Sequence, residues 1–252
     1  MQTQIRLTQN PANPLAGKIA IVTGGARGLG EATSRLLCQS AMKVVIADVR
    51  LSLAQDVAQQ ITDEGGEAIA QELDVREPDS VNALFESTLE HYGKVDVLVN
   101  NAGTDQTLSI EELSLEDWQR VINVNLNGPF YTSKAVFGHM REQGGGYIIN
   151  IISTAAMRAW PNASAYHASK WGLLGFTRAL HVEGRPHNIK VTGLVAGGMR
   201  TPFLLDRFPD IDVTTLQEPA NVAQTIRYLL MQPEGTVISE MMVLPMKETS
   251  WP

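Results

Sequence analysis

Residues Lys18–Gln39 read KIAIVTGGARGLGEATSRLLCQ, and three kinds of local structure follow one another in that stretch. KIAIVT (Lys18–Thr23) is short, rich in Ile and Val and apolar on both faces, the pattern of a strand buried inside a parallel sheet. TGGARGLG (Thr23–Gly30) is a glycine-rich turn, and EATSRLLCQ after it takes a helical period. Strand, turn and helix in that order open a βαβ unit, because a parallel strand can rejoin its sheet only through a crossover.

The same alternation continues to Leu244. KVVIAD (Lys43–Asp48), EAIAQEL (Glu67–Leu73), VDVLVN (Val95–Asn100), YIINIIS (Tyr147–Ser153), IKVTGL (Ile189–Leu194) and TVISEMMVL (Thr236–Leu244) read as further strands. Val81, Leu84, Phe85, Thr88, Leu89 and Tyr92 fall at i, i+3, i+4, i+7, i+8 and i+11, and Leu53, Val57 and Ile61 recur every fourth residue, so amphipathic helices lie between the strands. The expected fold is α/β, a doubly wound Rossmann-type parallel sheet of seven strands with helices on both faces. No linker, charge block or repeat divides the chain, which predicts one domain over 15–252 behind an irregular N-terminal arm over 1–14.

The chain has 252 residues, 44% of them apolar, and 20 Lys+Arg against 27 Asp+Glu, a formal charge of −7. That balance argues against nucleic acid and anionic membranes as partners, both of which call for a basic patch. Cys38 is the single cysteine, so an internal disulfide and a thiolate metal cluster are excluded. His91, His139, His167, His181 and His187 lack paired-ligand spacing, and no metal is expected. The polar opening MQTQIRLTQNPANPLA has no signal-peptide core, and no run nears the roughly 18–20 apolar residues of a membrane span. A cytoplasmic protein is expected.

In the first turn, Gly24, Gly28 and Gly30 let the backbone close tightly and approach a pyrophosphate, which the free N–H groups and positive dipole end of the next helix then hold. Asp48, eighteen residues beyond Gly30, ends the second strand, where a carboxylate accepts hydrogen bonds from both hydroxyls of an adenosine ribose and repels a 2′-phosphate. Arg27 and Arg50 pull the other way, since either reaches towards such a phosphate. The carboxylate at the ribose position makes NAD the expected cofactor over NADP.

Further along, SAYHASKWG places Tyr166 and Lys170 four apart in a helical segment, hence on one face. A free tyrosine has a pKa near 10 and is a poor base at neutral pH. A cation at about 4 Å is worth roughly 4 kcal/mol at an effective dielectric of 20, or about three pKa units, so Lys170 is expected to turn Tyr166 into a usable general acid/base.

TGxxxGxG at Thr23–Gly30, NNAG at Asn100–Gly103, NVNLNG at Asn123–Gly128, Ser153 after the fifth strand and Tyr-x-x-x-Lys at Tyr166–Lys170 occur in that order. The chain from about residue 15 to 245 therefore resembles the short-chain dehydrogenase/reductase family. The resemblance implies a tetrad of Asn125, Ser153, Tyr166 and Lys170. In it Tyr166 exchanges the proton with the substrate oxygen, Ser153 hydrogen-bonds that oxygen, Lys170 lowers the tyrosine pKa and holds the nicotinamide ribose, and Asn125 anchors a water linking Lys170 to solvent. It also implies cofactor contacts from Thr23, Gly24, Arg27, Gly28, Leu29 and Gly30 in the first turn, from Asp48 and Val49, and from Asp74 and Val75 beside the adenine. Asn101, Ala102 and Gly103 pass under the cofactor, and Gly197, Met199 and Thr201 lie at its nicotinamide end, the last two at the carboxamide.

Relatives commonly carry a proline where this chain has Ala196, followed by Gly197 and Gly198, and its loss frees the backbone beside the nicotinamide. The ending SEMMVLPMKETSWP likewise departs from the usual Asp-Gly-Gly turn and looks more like serine- and 3-hydroxy-acid-type dehydrogenases. The substrate pocket is expected between the loop after Ser153 and the segment after Pro202. Met157, Trp160, Met199, Phe203 and Leu204 give it apolar walls, and Arg158 is either the nearby cation for a carboxylate or, as a loop arginine more often is, a solvated charge. The segment of about 202–217, with Pro209 and little periodicity, reads as a lid.

The function implied is hydride transfer between NAD(P) and a small secondary alcohol or ketone. The alternatives are a 3-oxoacyl carrier-protein reductase, which an acidic chain suits less well, and a nucleotide sensor without chemistry. Relatives commonly form homotetramers, and WGLLGFTRALHVE (Trp171–Glu183), apolar on several faces, suits such an interface or a dimer.

Overall fold

A computed structural model describes residues 13–248. Most of the arm expected over 1–14, and Thr249–Pro252 of the tail, lie outside the described residues. Along the chain come β1 (Ile19–Thr23), α1 (Gly28–Gln39), β2 (Lys43–Asp48), α2 (Leu51–Asp63), β3 (Glu67–Glu72), α3 (Pro78–Tyr92), β4 (Val97–Asn100) and α4 (Leu115–Ile122). There follow α5 (Gly128–Glu142), β5 (Gly146–Ser153), α6 (Ser164–Gly184), β6 (Ile189–Ala196), α7 (Pro202–Leu205), α8 (Pro219–Leu230) and β7 (Glu240–Val243). The strands make one seven-stranded sheet in the order β3-β2-β1-β4-β5-β6-β7, with every pairing parallel.

Successive residues of a strand feed opposite cores. Ala20 and Val22 of β1 join Val44, Ile46, Val97 and Val99 on one face, where α1 and α8 pack, while Ile21 joins Val45 and Leu98 on the other, against α3 and α5. Each of these side chains is removed from water, at about 1.5–3 kcal/mol for a fully buried Val, Leu or Ile. The apolar-on-both-faces pattern of the sequence follows from this double cover.

Three local readings are corrected. The seventh strand is Glu240–Val243, without Thr236–Ser239; ahead of it the Ser239 carbonyl accepts the Gly193 N–H at 2.9 Å and the Ile238 carbonyl accepts the Thr192 hydroxyl at 2.6 Å. β6 runs two residues further, to Ala196, where it pairs with both Ser153 and Val243. On α2 the inward stripe is Ala54, Val57, Ala58 and Ile61, and Leu53 is 41% exposed, since a 3.6-residue turn carries a strict four-residue repeat off the face.

The chain order reverses between β1 and β4, both of which end on the same side of the sheet. In such sheets the crevice beyond the strand ends at this switch point is where ligands bind. Trp171 on α6 and Phe130 on α5 face outward at 53% and 42% exposure.

Candidate active site

A cavity of about 360 Å³ opens at that switch point. Its floor begins with the β1–α1 turn. Gly28 has φ +58, a conformation that L side chains avoid, and a Cβ on Gly30 would collide with the Gly24 carbonyl. Thr23 and Asn101 fasten this turn to the loop after β4. The Thr23 hydroxyl accepts from the N–H groups of Asn101 (3.1 Å) and Ala102 (3.0 Å), and Asn101 Nδ2 donates to the carbonyls of Thr23 (2.9 Å) and Gly24 (3.0 Å). The start of α1 thus points its free N–H groups into a pre-formed crevice.

At the end of β2, Asp48 is only 3% exposed. Its Oδ2 accepts the Ala26 N–H at 3.2 Å, and its Oδ1 accepts both the main-chain N–H (3.0 Å) and Nε (3.2 Å) of Arg50. Arg50 and Arg27 line the cavity, and Arg27 also lies 3.5 Å from Asp206 in the segment after α7.

The other end of the cavity holds Ser153, Tyr166 and Lys170. Ser153 ends β5 and caps the following turn by accepting the Ala155 N–H at 3.2 Å. Tyr166 and Lys170 share a face of α6, and the Tyr166 phenol is hydrogen-bonded to Ser153. The ammonium of Lys170 donates to the Ile151 carbonyl at 2.9 Å and stands 5.8 Å from the Tyr166 ring centre. Burial acts on both groups. It pushes the Tyr166 phenol up to about 12, against the Ser153 hydrogen bond, and pulls the Lys170 ammonium down to about 8. Burial of the phenol thus opposes the lowering by Lys170 that the sequence spacing leads one to expect. The spacing stacks the two side chains, but Nζ turns to a β5 carbonyl, and loss of water favours the neutral form of each.

Between α4 and α5 the chain makes a π-helical turn, Asn123–Asn127, closed by Gly128 N–H on the Asn123 carbonyl. Turns of this kind gather at functional sites because the extra residue redirects a side chain. Here the buried side chain is Asn125. Its Nδ2 donates to the Thr104 carbonyl (2.8 Å) and Ser169 Oγ (3.0 Å), and its Oδ1 accepts the Thr104 N–H (2.8 Å). Asn125 thereby ties the loop after β4 to the helix carrying Tyr166 and Lys170.

Residues 18–212 match the short chain dehydrogenase family. The chain belongs to that family. Its fold, its motif order and its cavity at the switch point now have one explanation, and it is an NAD(P)-dependent oxidoreductase. It is 38% identical over 231 residues to a 3-oxoacyl-[acyl-carrier-protein] reductase of Synechocystis sp., covering 89% of this chain and 94% of that one. It is 33% identical to a cyclohexanol dehydrogenase of Acinetobacter sp., covering 95% and 98%. Among solved structures, a metagenomic short-chain oxidoreductase in complex with NADP superposes with a TM-score of 0.82 at 31% identity, covering 92% of this chain and 98% of that one.

Within this short chain dehydrogenase, the sequence-predicted residues divide by position. Gly24, Arg27, Gly28, Leu29, Asn101, Ala102, Gly103, Gly197, Met199 and Thr201 line the cavity together with Ser153, Tyr166 and Lys170, and so do Trp160, Phe203 and Leu204. Thr23, Gly30 and Asn125 stand behind the wall as supports. Asp48, Val49, Asp74 and Val75 lie at the ends of β2 and β3, outside the lining; Asp74 holds Arg76 at 2.6 Å, Val75 packs on Gly128, and Val49 faces solvent. Met157 and Arg158 do not line it either. Met157 packs against Ile152, Leu173 and Leu174, and Arg158 is exposed, so the expectation of Arg158 as the pocket cation is corrected. A cation that does line the cavity there is Arg207, just after α7 and 3.1 Å from Asp105.

Loss of the proline at Ala196 leaves the loop held by other means. Gly197 N–H donates to Val243 O (2.9 Å), Gly198 N–H to Glu248 (2.9 Å), and Gln217 N–H to Gly198 O (3.1 Å). His167, which adjoins Tyr166 and has no paired-ligand spacing, has a structural part in the site. Its Nδ1 meets the Ala155 carbonyl at 2.8 Å, its Nε2 accepts the Trp160 N–H at 3.1 Å, and its ring lies 4.3 Å from that of Trp160, so it fixes the loop after Ser153.

Proposed function

We propose that this protein is an alcohol dehydrogenase or carbonyl reductase for small, neutral, apolar secondary alcohols and ketones. The observation that carries the reading is the convergence of Ser153, Tyr166 and Lys170 on a cavity whose other walls include the apolar side chains of Trp160, Phe203, Leu204, Phe208 and Ile211 beside the mutually neutralised pair of Asp105 and Arg207. An apolar pocket with a few fixed polar groups selects by shape and orients one oxygen. The similarity to a cyclohexanol dehydrogenase supports the same class.

The dinucleotide fits the crevice, since the Gly28 and Gly30 positions leave room for a backbone approach that a Cβ would close. Gly24, Gly28 and Leu29 would hold the pyrophosphate, and Lys170 the nicotinamide ribose. When bound, the nicotinamide supplies the hydride acceptor or donor. Ser153 orients the substrate oxygen and stabilises its developing charge. Tyr166, neutral because buried, is the proton donor in the reducing direction, since an alkoxide is a stronger base than a phenolate. Asn125 positions the Lys170 segment through Thr104 and Ser169 and would anchor the water that links Lys170 to solvent.

NAD is the preferred cofactor on this reading, with the Asp48 carboxylate beneath the ribose. A second reading, NADP, is favoured by Arg50 and Arg27 on the cavity wall over a buried, ion-paired Asp48, and by the NADP complex of the similar metagenomic enzyme. The protein acts in the cytoplasm as a homotetramer or dimer, an assembly that would cover Trp171 and Phe130. A 3-oxoacyl carrier-protein reductase remains the rival, favoured by the 38% identity to such an enzyme. Steady-state assays of cyclic and acyclic ketones, their alcohols and an acyl carrier substrate with each cofactor test it. Turnover of neutral ketones is expected; turnover confined to the carrier substrate, or cofactor binding without hydride transfer, refutes it.

A further inference from the structure

Asp105 and Arg207 are 102 residues apart in sequence and form an ion pair inside the substrate end of the cavity. Arg207 Nη1 lies 3.1 Å from Asp105 Oδ2, and Nη2 donates to the Asp105 carbonyl at 3.3 Å. The guanidinium stacks 4.7 Å from the centre of the Phe203 ring, which is itself 6.1 Å from the Tyr166 ring. The pair therefore stands one side chain away from the reacting position. The two partners are held differently. Asp105 sits on a braced loop, with Asn125 on both main-chain groups of Thr104, Arg120 on the Thr104 hydroxyl (2.8 Å) and on Gln106 Oε1 (2.9 Å), and Asp105 Oδ1 itself accepting the Gln106 N–H at 2.7 Å. Arg207 is carried by the lid just after α7. The carboxylate is the fixed member and the arginine comes to it.

We propose that Asp105 sets the charge specificity of this pocket: by occupying Arg207 it bars carboxylate-bearing substrates and reserves the site for neutral alcohols and ketones. The inference rests on the reading of the cavity as a substrate pocket and adds what decides between two chemical classes of substrate. An incoming carboxylate finds the lid arginine already engaged. To take it, the carboxylate must strip Arg207 from Asp105 and leave a buried carboxylate without its ion-pair partner, with only the weaker influence of His167 and Arg120, on a loop braced at Thr104 and Gln106, which is less favourable than leaving the pair intact. A neutral ketone makes no such demand. Desolvation raises the Asp105 carboxyl above its usual range, and Arg207 foremost draws it back, followed by the Gln106 N–H, His167 and Arg120. With Asp105 made neutral, Arg207 keeps its bond to the main-chain carbonyl of residue 105 but loses its counter-ion, and a cationic fork then faces the cavity, the arrangement that binds carboxylates.

The test is binding of an isosteric pair, cyclohexanecarboxylate and cyclohexanecarboxamide, to the protein at pH 7.5, read by the fluorescence of Trp160 on the cavity wall. In Asp105→Asn the carboxylate is expected to tighten at least tenfold while the carboxamide stays within threefold. In Asp105→Asn combined with Arg207→Gln the gain is expected to vanish. Asp105→Ser, whose hydroxyl still accepts the Gln106 N–H, repeats the comparison should the Asn variant not fold. An unchanged carboxylate-to-carboxamide ratio in the variant that folds overturns the proposal, as does a gain that survives removal of Arg207. Because binding is read without turnover, a wild-type protein that reduces no ketone would sink the functional reading and leave this ratio measurable.

Discussion

Lys170 is a cation held where the fold would be more stable without one, and replacing it with Met measures the cost. The side chain is 6% exposed, and its recorded hydrogen bond goes to the Ile151 carbonyl. Burial lowers its pKa from 10.5 to about 8, which at 1.36 kcal/mol per unit is a penalty of about 3 kcal/mol at any pH below 8. Methionine keeps the length of the stem and forfeits a neutral hydrogen bond worth about 1 kcal/mol. Lys170→Met is thus expected to be about 2 kcal/mol more stable than wild type at pH 7, a rise of roughly 4–8 °C in Tm for a chain of this size. The sign with pH is fixed as well. The unfolded chain binds this proton up to pH 10.5 and the folded chain only to about 8, so wild type gains stability as pH rises through that window and the variant does not. By pH 10.5 the order should have reversed, with the variant lower by about 1 kcal/mol. Urea unfolding of both proteins without cofactor, from pH 7 to 10.5, gives the difference curve, and groups common to both cancel in it. A variant less stable than wild type at pH 7, together with a flat difference curve, would refute the reasoning. Turnover should be lost in the variant in either case.

Tyr166→Phe is expected to lower kcat by at least a thousandfold while leaving cofactor affinity, measured by fluorescence titration, within a fewfold of wild type; substantial residual turnover would end its acid/base assignment. Asp48→Asn keeps an acceptor for the Ala26 N–H and removes the charge. The NADP-to-NAD ratio of kcat/KM should rise at least tenfold, and an unchanged ratio would transfer cofactor choice to Arg27 and Arg50. Leu98→Ala in the centre of the sheet should cost about 2–5 kcal/mol in chemical unfolding with kcat nearly unchanged at low temperature, since the cavity it leaves lies in the core and not at the strand ends.

Much of the fold was legible because it depends on short-range pattern. β2 runs over Lys43–Asp48 as read, and the doubled apolar faces of β1 and β5 announced a sheet covered on both sides. The Tyr166–Lys170 spacing likewise placed two side chains on one helical face without any tertiary information. What failed at this level failed for tertiary reasons. Thr236–Ser239 has strand composition, yet regular pairing with β6 begins only at Glu240, and the Thr192 side chain engages the Ile238 carbonyl, while Leu53 keeps an apolar side chain 41% exposed. The π-helical turn at Asn123–Asn127 has no propensity signature, since its extra residue is stabilised by what Asn125 reaches on Thr104 and Ser169.

The amino-acid sequence by itself determined the sheet, the glycine turn at the first strand end and the order of the groups that converge on the cavity, because these are written in periodicity, backbone freedom and i, i+4 spacing. The electrostatics of the site were decided only in three dimensions. Whether a phenol and an ammonium four residues apart help one another depends on how much water the packed chain leaves them, and here burial drives both towards neutrality. Which arginine enters the pocket depends on where the lid lands, and no local pattern links Arg207 to Asp105 across 102 residues. Charge interactions reach through space and are set by desolvation, and both quantities exist only once the chain has folded.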